Sequence, residues 1–184
     1  MTTTSISSTR PDPFLYLQVH LAEFSRAAEH LDTIDPVGVG SDEMAVGRAG
    51  YIAGSLWLHQ TLGKVKYFQC LKYFHSPKYF QPVQSQEVLY QLCDVMVESG
   101  RKFSRKVSSK SPLMYSYYET QYLGTAHGLT GILQQLLSVP GYFQYNPLAE
   151  RDVKASVNFL VNNQTFDGNF PCAMGDIKDP RSYR

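Results

Sequence analysis

VGRAGYIAGSLWL, residues 46–58, and HGLTGILQQLLSV, residues 127–139, carry the same punctuation: G-x-x-G at the start of a nearly unbroken apolar run. Gly128 and Gly131 stand 81 positions after Gly47 and Gly50. In each copy a loop feeds a helix through residues without side chains, so the chain can turn sharply and pack closely there. The surrounding stretches, 44–62 and 117–138, are apolar on most sides, which is the pattern of a buried helix. A single GxxG is weak evidence. Two copies in equivalent settings predict a repeated helical hairpin, the unit from which solenoids and α/α toroids are built.

Working outward, three further stretches are amphipathic. Residues 13–31 place Phe14, Leu15, Leu17, Val19, Leu21, Phe24 and Ala27 largely on one face, opposite Glu23, Arg26 and Glu29. Residues 85–107 repeat the pattern with Val88, Leu89, Leu92, Val95, Met96 and Phe103, and residues 148–163 with Val153, Val157, Leu160 and Val161. Amphipathic helices alternating with all-round apolar ones predict two concentric layers, outer helices packed on inner ones. Residues 32–43 and 140–147 read as loops, and Lys64–Pro82, with its repeated Tyr-Phe pairs, as a short helix followed by irregular chain. Residues 1–12 read as a disordered polar tail and 163–184 as loop, with a turn at Asp167-Gly168-Asn169.

Composition bounds the function classes. The chain has 184 residues, 43% hydrophobic and 18% charged, with a formal net charge of +1. That is a globular balance, and no strong field for nucleic acid is expected. Arg101, Lys102, Arg105, Lys106 and Lys110 form a modest basic stripe that reads as a solvated helix face. Three cysteines, Cys70, Cys93 and Cys172, without CxxC spacing, argue against a disulfide framework and for a cytoplasmic setting. No apolar run approaches the roughly 18 residues of a membrane span, and residues 1–13 contain no signal-peptide core.

Candidate chemistry gathers at the two glycine pairs. His127 stands at the mouth of the second apolar helix, where an imidazole suits general acid or base work; its bland alternative is a helix cap. Asp42 and Glu43 precede the first pair, and a carboxylate there would orient a histidine or bind an ammonium; the alternative is acidic bias in a first helical turn. Arg48 would pair with a substrate carboxylate or phosphate, or else form an intramolecular salt bridge. Tyr115, Tyr117, Tyr118 and Tyr122 would line a cavity, or else be core with hydroxyls at the rim. Cys172 has no ligand partner at metal spacing, so no metal site is predicted from these residues.

GRAGYIAGSLWL (47–58), KSPLMYSYYETQYLGTAHGLTGIL (110–133) and SVNFLVNNQTFDGNFPCAMGD (156–176) together resemble the LanC-like (lanthionine synthetase C-like) family, in order and spacing, over roughly residues 13–180. The resemblance implies an all-α fold, an α/α toroid of helical hairpins around a central site, incomplete here and occupying residues 13–184. It implies zinc-dependent addition of a thiol, from glutathione or a peptide cysteine, to dehydroamino acids in a peptide or protein. His127 matches the position of the family's active-site histidine, and Glu43 or Asp42 is placed where a carboxylate stands; Arg48 and Tyr122 are the candidate substrate-binding residues from the reading of the residues themselves. The family's zinc ligands lie in W-C-H-G and C-H-G motifs, which do not occur in this sequence. The chain alone is therefore expected to be inactive, with inner helix faces left open to self-association.

Two rival readings stand beside this one. A non-catalytic glutathione- or protein-binding module would fit the same fold. A carbohydrate-active toroid would need two cavity carboxylates, and only the crowded Asp42 and Glu43 are on offer. Some relatives are lipid-anchored, so peripheral association with the plasma membrane is a further expectation, although the Met-Gly start for myristoylation is absent here.

Overall fold

The computed structural model describes residues 13–31, 40–64 and 84–178. The expected tail at 1–12, most of the aromatic stretch 64–82, Cys70 and residues 179–184 lie outside these. Six α-helices follow one another among the described residues: α1 (Pro13–Arg26), α2 (Arg48–Lys64), α3 (Gln86–Lys106), α4 (Leu129–Ser138), α5 (Tyr142–Tyr145) and α6 (Pro147–Val161). Two 3-10 turns, Ala27–His30 and Asp176–Lys178, complete the regular structure among the described residues. The only strand-like pairings among the described residues are isolated bridges, so the architecture is all-α. None of the described helices is long and apolar enough to cross a membrane.

The layers predicted from the sequence are visible in the packing. α2 packs against α4, α3 lies on α2, and α6 lies on α4. Ala49 and Ile52 of α2 and Leu129, Ile132, Leu133 and Leu136 of α4 are almost fully buried between them. α3 contributes Leu89, Leu92, Cys93, Met96 and Val97, spaced at three and four residues as one helical face requires. Its start is fixed by Ser85, whose side chain accepts from Val88 N at 3.3 Å, and its end carries Arg105 and Lys106. The outer pair is joined by an ion pair, Arg101 Nε to Asp152 at 2.7 Å, and Glu98 lies beside Arg101 and Arg105. These contacts make that part of the basic stripe a paired outer face.

The glycine repeat is a repeat of backbone geometry. Arg48 N donates to Ser41 O at 2.8 Å, and 81 residues on Leu129 N donates to Tyr122 O at 3.0 Å. Ala49 N reaches Asp42 O at 3.4 Å, matched by Thr130 N to Leu123 O at 3.1 Å. In both copies the preceding loop folds back over the first helical turn, and a side chain there would collide with it. A Cβ on Gly50 would lie 2.1 Å from Met44 O, and one on Gly131 2.1 Å from Thr125 O. The obstructing atoms are backbone, so they cannot swing away. Gly50→Ala and Gly131→Ala should each cost about 1–3 kcal/mol of stability. Denaturant titration would measure it; a loss below a few tenths would contradict the shared loop-over-helix geometry.

Three expectations need correction. A helix was predicted from residue 117, but α4 begins at Leu129. Tyr118 and Glu119 adopt φ of 44° and 62°, which no helix accommodates, and Tyr117 and Thr120 close a turn with reciprocal bonds of 2.9 and 3.0 Å. The chain then pairs with the C-terminal loop, Leu123 N to Cys172 O at 2.8 Å and Met174 N to Gln121 O at 3.0 Å. Leu123 is 2% exposed beside that pairing while Tyr118 is 75% exposed, so a helical reading of their spacing is misleading. The second correction concerns burial: Trp57 and Leu137, counted as interior, are 63% and 56% exposed. α2 also starts four residues later than predicted, because residues 40–47 form a turn.

Candidate functional site

The two loops that clasp the inner helices bring Glu43 and His127 together. Gly40, with φ of +89°, opens the first turn, and Glu43 N donates to Gly40 O at 3.0 Å. The Glu43 carboxylate is thereby tucked beneath the loop, its side chain only 2% exposed. One of its oxygens accepts from Val46 N. The other lies 3.0 Å from His127 Nδ1. His127, on the second loop just before α4, keeps 42% of its side chain exposed. One partner is buried and fixed; the other reaches the surface.

The electrostatics follow from this burial. Desolvation pushes the Glu43 carboxyl up, but hydrogen bonds from Ala45, His127 and Val46 and the charge of the imidazole together bring it below its ordinary value. Glu43 is therefore a carboxylate at neutral pH. A carboxylate only accepts, so Nδ1 of His127 is the donor, and in the neutral ring Nε2 is the bare nitrogen. Because the folded-state value is depressed, Glu43 contributes stability that is present above its unfolded value and lost as pH falls through the folded one. Glu43→Gln should accordingly flatten the loss of thermal stability between about pH 5 and pH 3. An unaltered acid limb in melting curves of the variant would contradict it.

Aromatic rings frame the imidazole. Tyr117 stacks on it, with centroids 4.8 Å apart and planes 13° from parallel. Tyr122 lies on it at 5.9 Å and 56°. Tyr122 is held through its backbone, bridged to Ala173 and accepting from Leu129 N. Of the other clustered tyrosines, Tyr115 is core: it is 5% exposed, and its hydroxyl donates to Met96 O at 3.0 Å over Gly100. Tyr118 is 75% exposed and packs edge-on against Tyr117.

The structure separates the two neighbouring acids. Asp42 points to the interior, where Arg48 Nη1 donates to it at 2.6 Å and Ser99 Oγ of α3 at 2.6 Å. Arg48, expected to meet a substrate carboxylate or phosphate, is 1% exposed and also donates from Nε to Leu31 O at 2.5 Å. Its guanidinium ties the loop before α2 to the end of the first helical segment, so the intramolecular salt bridge is the role it fills. With Asp42 committed in this way, the two carboxylates are not a catalytic pair across a sugar. Ser99 and Gly40 were not singled out in the sequence; a serine on an amphipathic helix and a glycine in a Gly-rich loop carry no distinguishing signal. Cys93 is buried, and burial with the nearby Asp94 drives its thiol far above the ordinary range, whereas Cys172 is exposed. Among the described residues, no cluster of three or more His, Cys, Asp or Glu side chains could hold a metal ion.

The profile of the family described as "Lanthionine synthetase C-like protein" matches residues 16–184. A zebrafish (Danio rerio) protein named "Glutathione S-transferase LANCL1" is 34% identical over 140 residues, covering 75% of this chain and 30% of that protein. The matched part thus spans less than a third of its curated relative. The profile covers almost the whole chain, and this protein belongs to the lanthionine synthetase C-like family.

Proposed function

We propose that Glu43 and His127 move the proton in the addition of a thiol to a dehydroamino-acid residue of a peptide or protein, with glutathione or a peptide cysteine as the thiol. The observation that carries the reading is the contact at 3.0 Å between a buried carboxylate and a half-exposed imidazole. A support of this kind holds the proton on Nδ1 and compensates an imidazolium that forms transiently. Addition requires the thiol proton to be removed, the sulfur to bond to the β-carbon, and a proton to reach the α-carbon. His127 serves as the proton carrier through Nε2, and the exposed ring gives substrate access. Tyr122, against the imidazole, would form a wall of the substrate site. The name of the zebrafish relative supports glutathione as the thiol.

Zinc enters this family's chemistry by making a thiolate. The described residues do not fit it, so no step here is routed through a metal. At neutral pH, where glutathione is mostly protonated, the chain alone is inactive on this reading. Near pH 8.5, about the ordinary pKa of a thiol, roughly half of the glutathione is still the thiol, whose proton the bare Nε2 takes and hands to the α-carbon as the sulfur bonds to the β-carbon, so the proton-transfer pair can be tested without a metal. The two free cysteines among the described residues go with a reducing, cytoplasmic setting.

The test is to incubate the chain with glutathione and a dehydroalanine-containing peptide at pH 8.5, follow adduct formation by mass spectrometry, and measure glutathione binding by calorimetry. Adduct formation that rises in proportion to the chain's concentration, above the protein-free rate, is the expected result. Glutathione binding without chain-dependent adduct would replace this reading with a non-catalytic binding module. Neither binding nor adduct would remove both.

A further inference from the structure

Tyr117 was one of several clustered tyrosines in the sequence, but its surroundings set it apart. It begins a turn held by two reciprocal backbone bonds to Thr120, with two consecutive non-glycine residues, Tyr118 and Glu119, in the left-handed region. Such residues cost on the order of 1–3 kcal/mol each and persist only where the surroundings over-determine them. The turn presents the Tyr117 ring flat against His127, while Tyr118 packs edge-on behind it with centroids 4.6 Å apart. On the first loop, Gly40 leaves the space this ring fills: a Cβ there would lie 2.4 Å from Tyr117 Cδ2 and 2.9 Å from Cε2. The same glycine opens the turn that buries Glu43. One aromatic ring therefore touches the loop that holds the carboxylate and the imidazole that the carboxylate engages.

An imidazole that is 42% exposed and joined to a carboxylate by one hydrogen bond is free to swing about that bond and to leave it for solvent, where either ring nitrogen carries the proton. Nothing in a contact at Nδ1 alone fixes the ring plane or the direction of Nε2. A stacked ring on one face removes that freedom, at a separation and tilt typical of an aromatic pair. We propose that Tyr117 is the positioning residue of His127, locking the imidazole so that Nδ1 stays on Glu43 and Nε2 is turned toward the reacting carbon. The hydroxyl of Tyr117 is not needed for this, since the work is done by the face of the ring. The proposal rests on the proton-transfer reading for its consequence in the reaction, but the locked ring can be detected without any reaction.

Long-range proton–nitrogen NMR of the His127 imidazole reads its tautomer directly. In the wild-type chain and in Tyr117→Phe, a single neutral tautomer protonated at Nδ1 is expected. In Tyr117→Leu the two tautomers should mix. In the addition assay at pH 8.5, Tyr117→Phe should keep the wild-type rate, and Tyr117→Leu should lose about tenfold to a hundredfold in kcat, with KM for glutathione unchanged. A purely structural tyrosine would lower the melting temperature in the leucine variant and leave the tautomer and the rate per folded molecule as they were. That result overturns the proposal. If the leucine variant does not fold, Tyr117→Met and Gly40→Ala carry the same expectation, the second because it displaces the ring without removing it. A tautomer that responds to Tyr117 in a chain showing no addition activity would support the positioning role and overturn the proton-transfer reading, so the two can fail separately.

Discussion

Arg48→Met should destabilise the chain by about 3–5 kcal/mol, the usual result of removing one partner from a buried ion pair. The guanidinium and the Asp42 carboxylate are 2% and 8% exposed and 2.6 Å apart. Methionine fills much of the volume but leaves Asp42 with Ser99 as its remaining donor of those described above, and a buried carboxylate short of partners is expensive. The variant also loses the bond to Leu31 O that ties the end of the 3-10 turn after α1 to the loop before α2. At roughly 2–4 °C per kcal/mol for a chain of this size, the melting temperature should fall by roughly 6–20 °C. Arg48→Met combined with Asp42→Asn should cost less than the sum of the two singles, because the second change removes the charge that Arg48 compensated. A loss under about 1 kcal/mol, or strict additivity, would mean that this pair does not organise the first loop.

The second large effect is chemical. His127→Asn should lower the chain-dependent rate of glutathione addition by about 100- to 10,000-fold, the range over which a positioned acid or base contributes. Asparagine still offers Glu43 a hydrogen-bond donor, so the buried carboxylate is not abandoned and the fold should stand. Binding of glutathione, measured by calorimetry, should change little. That contrast separates a proton carrier from a binding residue. A variant that adds glutathione at the wild-type rate would remove His127 from the chemistry. Equal losses of binding and rate would make it a substrate contact.

Much of the fold was legible because it rests on two signals that survive without coordinates. Period-3.6 burial marks α3 and α6 within a residue or two of the predicted stretches, and paired glycines mark the places where loop lies on helix. The segment 117–128 was not legible. Its aromatic and apolar residues are spaced like a helix face, yet Tyr118 and Glu119 turn left-handed and the backbone bonds go to residues 172–174. A pairing partner some fifty positions away leaves no local trace. The site was legible by half. The histidine before the second glycine pair and the acids before the first stood out by type and place, and the resemblance to the family sharpened them. Which acid served the histidine depended on side-chain direction: adjacent residues diverge, Asp42 inward to Arg48 and Ser99, Glu43 across to His127. Arg48 illustrates the same limit in reverse, since a buried structural arginine and an exposed substrate clamp look alike as letters.

The outer face has its own consequence for how the chain behaves. Leu137, Val161 and Phe170 are each at least half exposed and, with Leu133 and Leu160, line an apolar hollow of about 390 Å³ between α4 and α6. Leu137 and Val161, which are not among the groups bonded to or stacked on Glu43 and His127 described above, are suitable positions for control substitutions beside the site variants.

The central claim, that His127 carries the proton to the substrate, is tested most directly by the stereochemistry of the product. Protonation of the α-carbon from free solution gives both configurations, whereas a proton that Nε2 of a fixed imidazole has taken from the thiol and hands on arrives from one side. The glutathione adduct of a dehydroalanine peptide formed at pH 8.5 should therefore show one α-carbon epimer in clear excess when the chain is present. The same two epimers in the ratio of the protein-free reaction, with the chain folded and in excess over the peptide, would contradict the account.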